Sequence, residues 1–150
     1  MFFCLFSLNI HAANPNIIGG QPVGTMSEAP WQGALILDGT FLGGFSIIGN
    51  RWVVTAAHNI RIPSVGFDEN QPSRCQIRVG SLQWNSGGKV LNIEKIIVHE
   101  SYNSQTQEND IALIRTSSDI SFTPQVQPIV ISDGCNTTAA NFQPGMAVNW

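Results

Sequence analysis

The sequence predicts an all-β fold, an antiparallel barrel or sandwich, and three observations carry that expectation. Its 150 residues include 14 glycines and 8 prolines, punctuation too frequent for a long-helix bundle or a coiled coil. Short apolar or alternating runs, several rich in Val and Ile, recur between turn-rich pieces. No stretch of a dozen residues sustains helical periodicity. With 43% apolar residues, the chain is long enough for about one domain with a buried core.

Six strands are predicted. The first runs from Gln32 to Leu37 and ends at the turn Asp38-Gly39-Thr40. The second runs from Phe41 to Ile48, closed by Gly49-Asn50-Arg51, and the third is Trp52 to Thr55. Beyond the loop Pro63 to Ser73 comes a fourth, Cys75 to Val79. The pieces Asn85-Ser86-Gly87-Gly88 separate it from a fifth, Val90 to Val98, and the sixth is Ile111 to Ile114. Tight connections between short strands favour antiparallel neighbours. The segment Arg115 to Gln143 carries Pro124, Pro128, Gly134 and many Ser, Thr and Asn, and is expected to be an extended connection rather than core. Met146 to Trp150 opens a new apolar stretch, so a continuation is expected.

Seven Lys and Arg stand against ten Asp and Glu, a formal charge of −3 with no run of like charges, so neither a nucleic acid nor an anionic membrane is expected as a partner. Phe2 to Leu8 is mostly apolar and is followed by Asn9-Ile10-His11-Ala12-Ala13, the pattern of a secretory signal with its cleavage region, assigned to residues 1–12. The run is far shorter than the roughly 20 residues of a membrane span. Removal of the signal takes Cys4 with it and leaves Cys75 and Cys135 in an oxidising compartment; either these two pair, or a partner lies outside this chain. Asn136-Thr137-Thr138 is an acceptor triplet that makes Asn136 a candidate glycosylation site.

Three local patterns carry the chemistry: Ile17-Ile18-Gly19-Gly20, then Trp52-Val53-Val54-Thr55-Ala56-Ala57-His58, then Asn109-Asp110-Ile111-Ala112-Leu113-Ile114. In this order they resemble the mature N-terminus, the histidine motif and the aspartate motif of the trypsin/chymotrypsin family of serine peptidases. Ala29-Pro30-Trp31-Gln32 and Val98-His99-Glu100-Ser101-Tyr102-Asn103 are similar to that family's intervening sequence, so the resemblance covers about 17–150. It implies a six-stranded Greek-key barrel over 17–116, the first of two barrels, with the interdomain connection and the start of the second barrel over 117–150.

The chemistry asks for these residue types on its own account. A hydroxyl that attacks a peptide carbonyl needs a base of near-neutral pKa within hydrogen-bond reach, and imidazole has that pKa. His58 is the candidate base and then acid, with the small Ala56 and Ala57 leaving room for the ring. Asp110, at the head of an apolar strand, is expected to be partly buried and therefore to need a partner. Accepting a bond from His58 Nδ1, it would fix the tautomer and stabilise the imidazolium.

The resemblance also implies what this chain lacks. The family's Gly-Asp-Ser-Gly-Gly motif, which supplies nucleophile and oxyanion hole, does not occur between Met1 and Trp150, so these residues alone are expected to show no triad-based activity. Activation in the family cuts before the Ile-Ile-Gly-Gly motif; here that bond is Asn16–Ile17, with 13–16 as a short propeptide. Asn16 stands where Arg or Lys is usual, so an asparagine-specific peptidase or the signal-processing route, rather than a tryptic enzyme, is expected to expose Ile17. The cysteine pair that bridges the strand before the histidine to the residue after it is replaced by Gly43 and Asn59, and Phe45 is expected to fill part of the vacated volume. Cys135 matches a cysteine that bridges to the second barrel, which leaves Cys75 as a free buried thiol or, alternatively, as the partner of Cys135. No metal and no cofactor are expected: His99 lacks the second histidine of a zinc-peptidase motif, and Gly80 to Glu94, where calcium-binding members carry several carboxylates, contains none before Glu94. The implied function is extracellular hydrolysis of protein or peptide substrates, completed by the second barrel of the same chain. The alternatives are a non-catalytic homologue that binds a partner through the same surface, and a lone barrel acting as a structural module.

Overall fold

The computed structural model describes residues 23–131. The expected signal peptide (1–12), the propeptide with Asn16 and Ile17, Cys135, the Asn136 acceptor site and the apolar stretch 146–150 lie outside the described residues. Within them the fold is all-β, with six strands: β1 (Gln32–Leu37), β2 (Thr40–Ile47), β3 (Trp52–Thr55), β4 (Cys75–Val79), β5 (Lys89–Val98) and β6 (Ala112–Thr116). They close into one barrel in the order β1-β2-β3-β6-β5-β4, and each neighbouring pair is antiparallel. Closure gives every strand a neighbour on both sides. Helical structure among the described residues is confined to three-residue 3-10 turns, and no helix there is long and apolar enough to cross a membrane.

The alternation that predicted the strands is what fills the barrel. In β4, Cys75, Ile77 and Val79 point inward while Gln76 is exposed; in β6, Ala112, Ile114 and Thr116 do the same. In β5, Leu91 and Ile93 face the core, and a bulge between Ile93 and Lys95 resets the phase so that Ile96 and Val98 face it too. Leu35, Ile47, Val53, Ile60, Ile77 and Ile114 are fully buried in this one cluster. Each such side chain contributes about 1.5–3 kcal/mol relative to exposure.

Two expectations are corrected. The segment after Ile114 is not merely a connection: Arg115 and Thr116 complete β6, and Ile120 and Val126 are buried in the core cluster. Phe45 does not occupy the space left by the absent cysteine pair. Its ring lies across Gly33, on the neighbouring strand, where a Cβ would fall 2.2 Å from Cζ. The space over Gly43 is taken by the side chain of Asn59.

Candidate active site

The pairing of β3 with β6 builds the site. Thr55 is opposite Ala112, so the residues just beyond that end of the ladder, His58 after β3 and Asp110 before β6, emerge at the same rim of the barrel. His58 rides in the 3-10 turn Ala57–Asn59, whose first residue is fully buried and so anchors the turn in the core. Asp110 is aimed by Asn109, which adopts the left-handed region (φ 56°) and ties its own side chain back through Nδ2–H to the Ser101 carbonyl at 3.0 Å. Asn is among the few residues that take this conformation readily.

The two side chains meet. Asp110 Oδ2 lies 2.7 Å from His58 Nδ1, and Asp110 Oδ1 accepts the His58 backbone N–H at 2.8 Å. Asp110 is the more buried of the pair, its side chain 24% exposed against 54% for His58. Burial alone pushes the Asp110 carboxyl up. The hydrogen bond and charge of the His58 ring, together with the His58 and Ala57 backbone amides, more than offset this and hold it below the ordinary carboxylate range. A carboxylate at Nδ1 keeps the ring proton there, so that Nε2 carries the free lone pair. Among the described residues Nε2 makes no hydrogen bond. The arrangement can therefore take a proton from a group approaching through solvent and stabilise the resulting imidazolium.

His99 is not part of this constellation; it follows β5 and its Nδ1 accepts the Ser101 N–H at 3.1 Å. Glu94 is engaged by two guanidinium groups, Arg51 and Arg115. No group of three His, Cys, Asp or Glu among the described residues could hold a metal ion. Three residues around the pair were not foreseen: Asn109, Thr55 and Asn59. The left-handed preference of Asn before Asp110 was a usable signal. Thr55 stands in the histidine motif and Asn59 in the place of a cysteine, but nothing local marks the bond between them.

Comparison with known proteins adds extent to this geometry. Residues 17–149 match the family model described as Trypsin. Trypsin delta of Drosophila erecta is 40% identical over 116 residues, 77% of this chain and 43% of that protein. Trypsin, alkaline B of Manduca sexta is 36% identical over 161 aligned positions that take in all of this chain and 59% of that protein. Hypodermin-A of Hypoderma lineatum is 37% identical over 117 residues, 78% of this chain and 43% of that protein. The chain thus spans about half the length of the curated relatives it matches. A family match over nearly the whole sequence, joined to a closed antiparallel barrel of six strands, shows that the chain belongs to the trypsin family of serine peptidases.

Proposed function

We propose that the protein is an extracellular serine endopeptidase and that this chain supplies two of its three catalytic groups, His58 and Asp110. The observation that carries the reading is the His58–Asp110 contact at 2.7 Å, made by a His58 side chain that is more than half exposed. In the full-length protein a serine would approach Nε2. His58 takes the hydroxyl proton as the oxygen attacks the peptide carbonyl, then gives it to the leaving amine as the acyl-enzyme forms. Water repeats the cycle and frees the acid product. Asp110 stays ionised throughout and stabilises the imidazolium. The nucleophile and the oxyanion hole belong to the part of the longer protein that this chain does not cover.

The same reading assigns residues 1–12 to secretion, 13–16 to a propeptide removed by cleavage at Asn16–Ile17, 17–116 to the first barrel and 117–150 to the link with the second. It also makes Asn136 a glycan site. The relatives named as trypsins support it, as does the secretory pattern of the first residues. The test is made on the full-length secreted protein: N-terminal sequencing, labelling with a fluorophosphonate probe, and hydrolysis of peptide-amide substrates before and after His58→Ala. An N-terminus at Ile17, serine labelling, and hydrolysis abolished by the substitution are expected. A folded full-length protein that neither labels nor hydrolyses overturns the reading in favour of a binding module.

A further inference from the structure

We propose that Asn59 is a positioning residue for His58, acting through a directed hydrogen-bond relay from Asn59 to Thr55 to the Gly44 carbonyl; the inference rests on the reading of His58 as the catalytic base. The relay lies where the sheet comes apart. Strands β2 and β3 pair only at Ser46↔Val54 and Ile47↔Val53. Toward His58 the ladder stops, and β3 gives way to the 3-10 turn Ala57–Asn59. A strand carbonyl beyond the last rung needs another donor. Gly44 finds it in the Thr55 hydroxyl, which donates at 2.8 Å. Thr55 is buried, and a hydroxyl has one proton, so its oxygen can only accept from a further partner. Asn59 Nδ2 supplies that bond at 3.2 Å. Each group has one role, and the direction of the chain is fixed from end to end.

Shape adds a second restraint. The Asn59 side chain lies over the bare backbone of Gly43: a Cβ there would fall 2.6 Å from Asn59 Nδ2 and 2.8 Å from its Cγ and Oδ1. The amide is therefore wedged against β2 as well as bonded to Thr55. Asn59 is covalently next to His58 and in the same turn, so displacement of one moves the other. The turn's own backbone bonds, Asn59 N–H to Ala56 and Ile60 N–H to Ala57, are local and tie it to no other strand. The bonds of His58 itself all go to Asp110, on the β6 side. Buried Ala57 anchors the turn in the core; the Asn59 side chain adds a directed link to β2. With both links the imidazole is held between two strands; with one it can tilt about the Asp110 contact, and misplacement of a catalytic base by about 1 Å is enough to cost up to a hundredfold in rate.

The test uses the full-length protein with Asn59→Ala, Thr55→Val and the double variant, read by kcat and KM on a peptide-amide substrate and by the low-field proton resonance of the His58 Nδ1–H. Each single substitution is expected to lower kcat by about ten- to a hundredfold with KM changed by less than about twofold. The double variant is expected to be no slower than the slower single one, because both break one relay. The low-field resonance is expected to broaden or vanish in all three. Thr55→Val leaves Asn59 over Gly43 and keeps the side-chain volume, so it carries the test if Asn59→Ala fails to fold. An active wild type whose kcat and low-field resonance survive Thr55→Val overturns the inference, and so do losses that multiply in the double variant. A wild type that hydrolyses nothing overturns the function reading instead.

Discussion

Both oxygens of the Asp110 carboxylate meet His58: its backbone N–H donates to Oδ1 at 2.8 Å, and its Nδ1 meets Oδ2 at 2.7 Å. A carboxylate bracketed in this way cannot rotate without losing both contacts, so the ring orientation and the backbone of the turn are fixed together. The bracket also dictates what an amide in its place would do. In Asp110→Asn the backbone N–H, which can only donate, takes the amide oxygen. The NH2 group is then left facing Nδ1, which must accept, and the ring proton moves to Nε2. The nitrogen proposed as the base is then occupied. Activity of the full-length protein is expected to fall by about 10⁴ in kcat, a magnitude carried over from the same change in this family's own triad rather than obtained from this site. Nitrogen chemical shifts of the His58 ring report the tautomer directly. A loss smaller than tenfold, or an unchanged tautomer, contradicts the bracket's role.

Acid stability follows from the same carboxylate and from a second one. Asp110 titrates below its ordinary 3.8, where the bonds from His58 outweigh burial. Glu69 titrates below its ordinary 4.5, drawn down chiefly by its hydrogen bond with Arg61, whose Nη2 lies 2.5 Å away. Folded values below the unfolded ones mean that both contributions are fully present above about pH 4.5 and are lost as the pH falls through the depressed folded values. The melting temperature is expected to be level above that pH, as far as these two groups set it, and to decline beneath it. Asp110→Asn and Glu69→Gln should each flatten the decline; thermal unfolding from pH 6 to 2 measures it. The Arg61–Glu69 pair is partly solvated, so Glu69→Gln at neutral pH is expected to cost no more than about 1 kcal/mol.

The strands were legible because each is a local pattern. Cys75, Ile77 and Val79 alternate with polar neighbours, and all six expected runs lie within two residues of the observed bounds. The His58 and Asp110 motifs were legible as words, and the rung Thr55↔Ala112 supplies the physical reason that they meet. Ile120 and Val126 were missed because two isolated apolar residues in a stretch of Ser, Thr and Pro carry no period, although the core takes both. The fate of the volume over Gly43 is not local for a different reason. Whether Phe45 or Asn59 fills it depends on which strand faces β2 at each rung, and Gly33, opposite Phe45, offers the ring a place that no reading of β2 alone reveals. The Asn59–Thr55–Gly44 relay likewise depends on how β3 lies beside β2, which no local pattern reveals.

Gly33 should accordingly be intolerant of any side chain. A Cβ added there falls 2.2 Å from Phe45 Cζ and 2.6 Å from the Arg78 carbonyl oxygen. The ring could turn aside, but the carbonyl belongs to the β1–β4 ladder, where Arg78 pairs with Ala34, and cannot move without breaking the barrel's closure. Gly33→Ala is expected to destabilise the protein by about 1–3 kcal/mol. Phe45→Leu in the same background should not restore the loss, because the backbone clash remains. Chemical denaturation of the two variants decides the matter: a full rescue by Phe45→Leu would assign the strain to the ring alone.

Cys75, at the start of β4, forms no disulfide among the described residues and is 1% exposed, and burial pushes its thiol pKa up to about 12. Only the thiolate alkylates, and at pH 8 roughly one thiol in ten thousand would be ionised even if reagent could reach it. Cys75 in the folded protein is therefore expected to resist iodoacetamide at pH 8 for hours and to react fully once unfolded, with peptide mass spectrometry locating the label. Residual labelling in the native state then reports opening of β4 against β1, where Cys75 pairs with Leu37, and of the core that buries the thiol. The unfolded thiol titrates near its ordinary 9.0 while the folded one stays protonated to about 12. Stability is thus unaffected by this group below 9.0 and declines as the pH rises above it, a loss that Cys75→Ala should remove. Rapid native-state labelling of Cys75 at pH 8 would mean that the barrel opens at β4 far more readily than its sealed register implies.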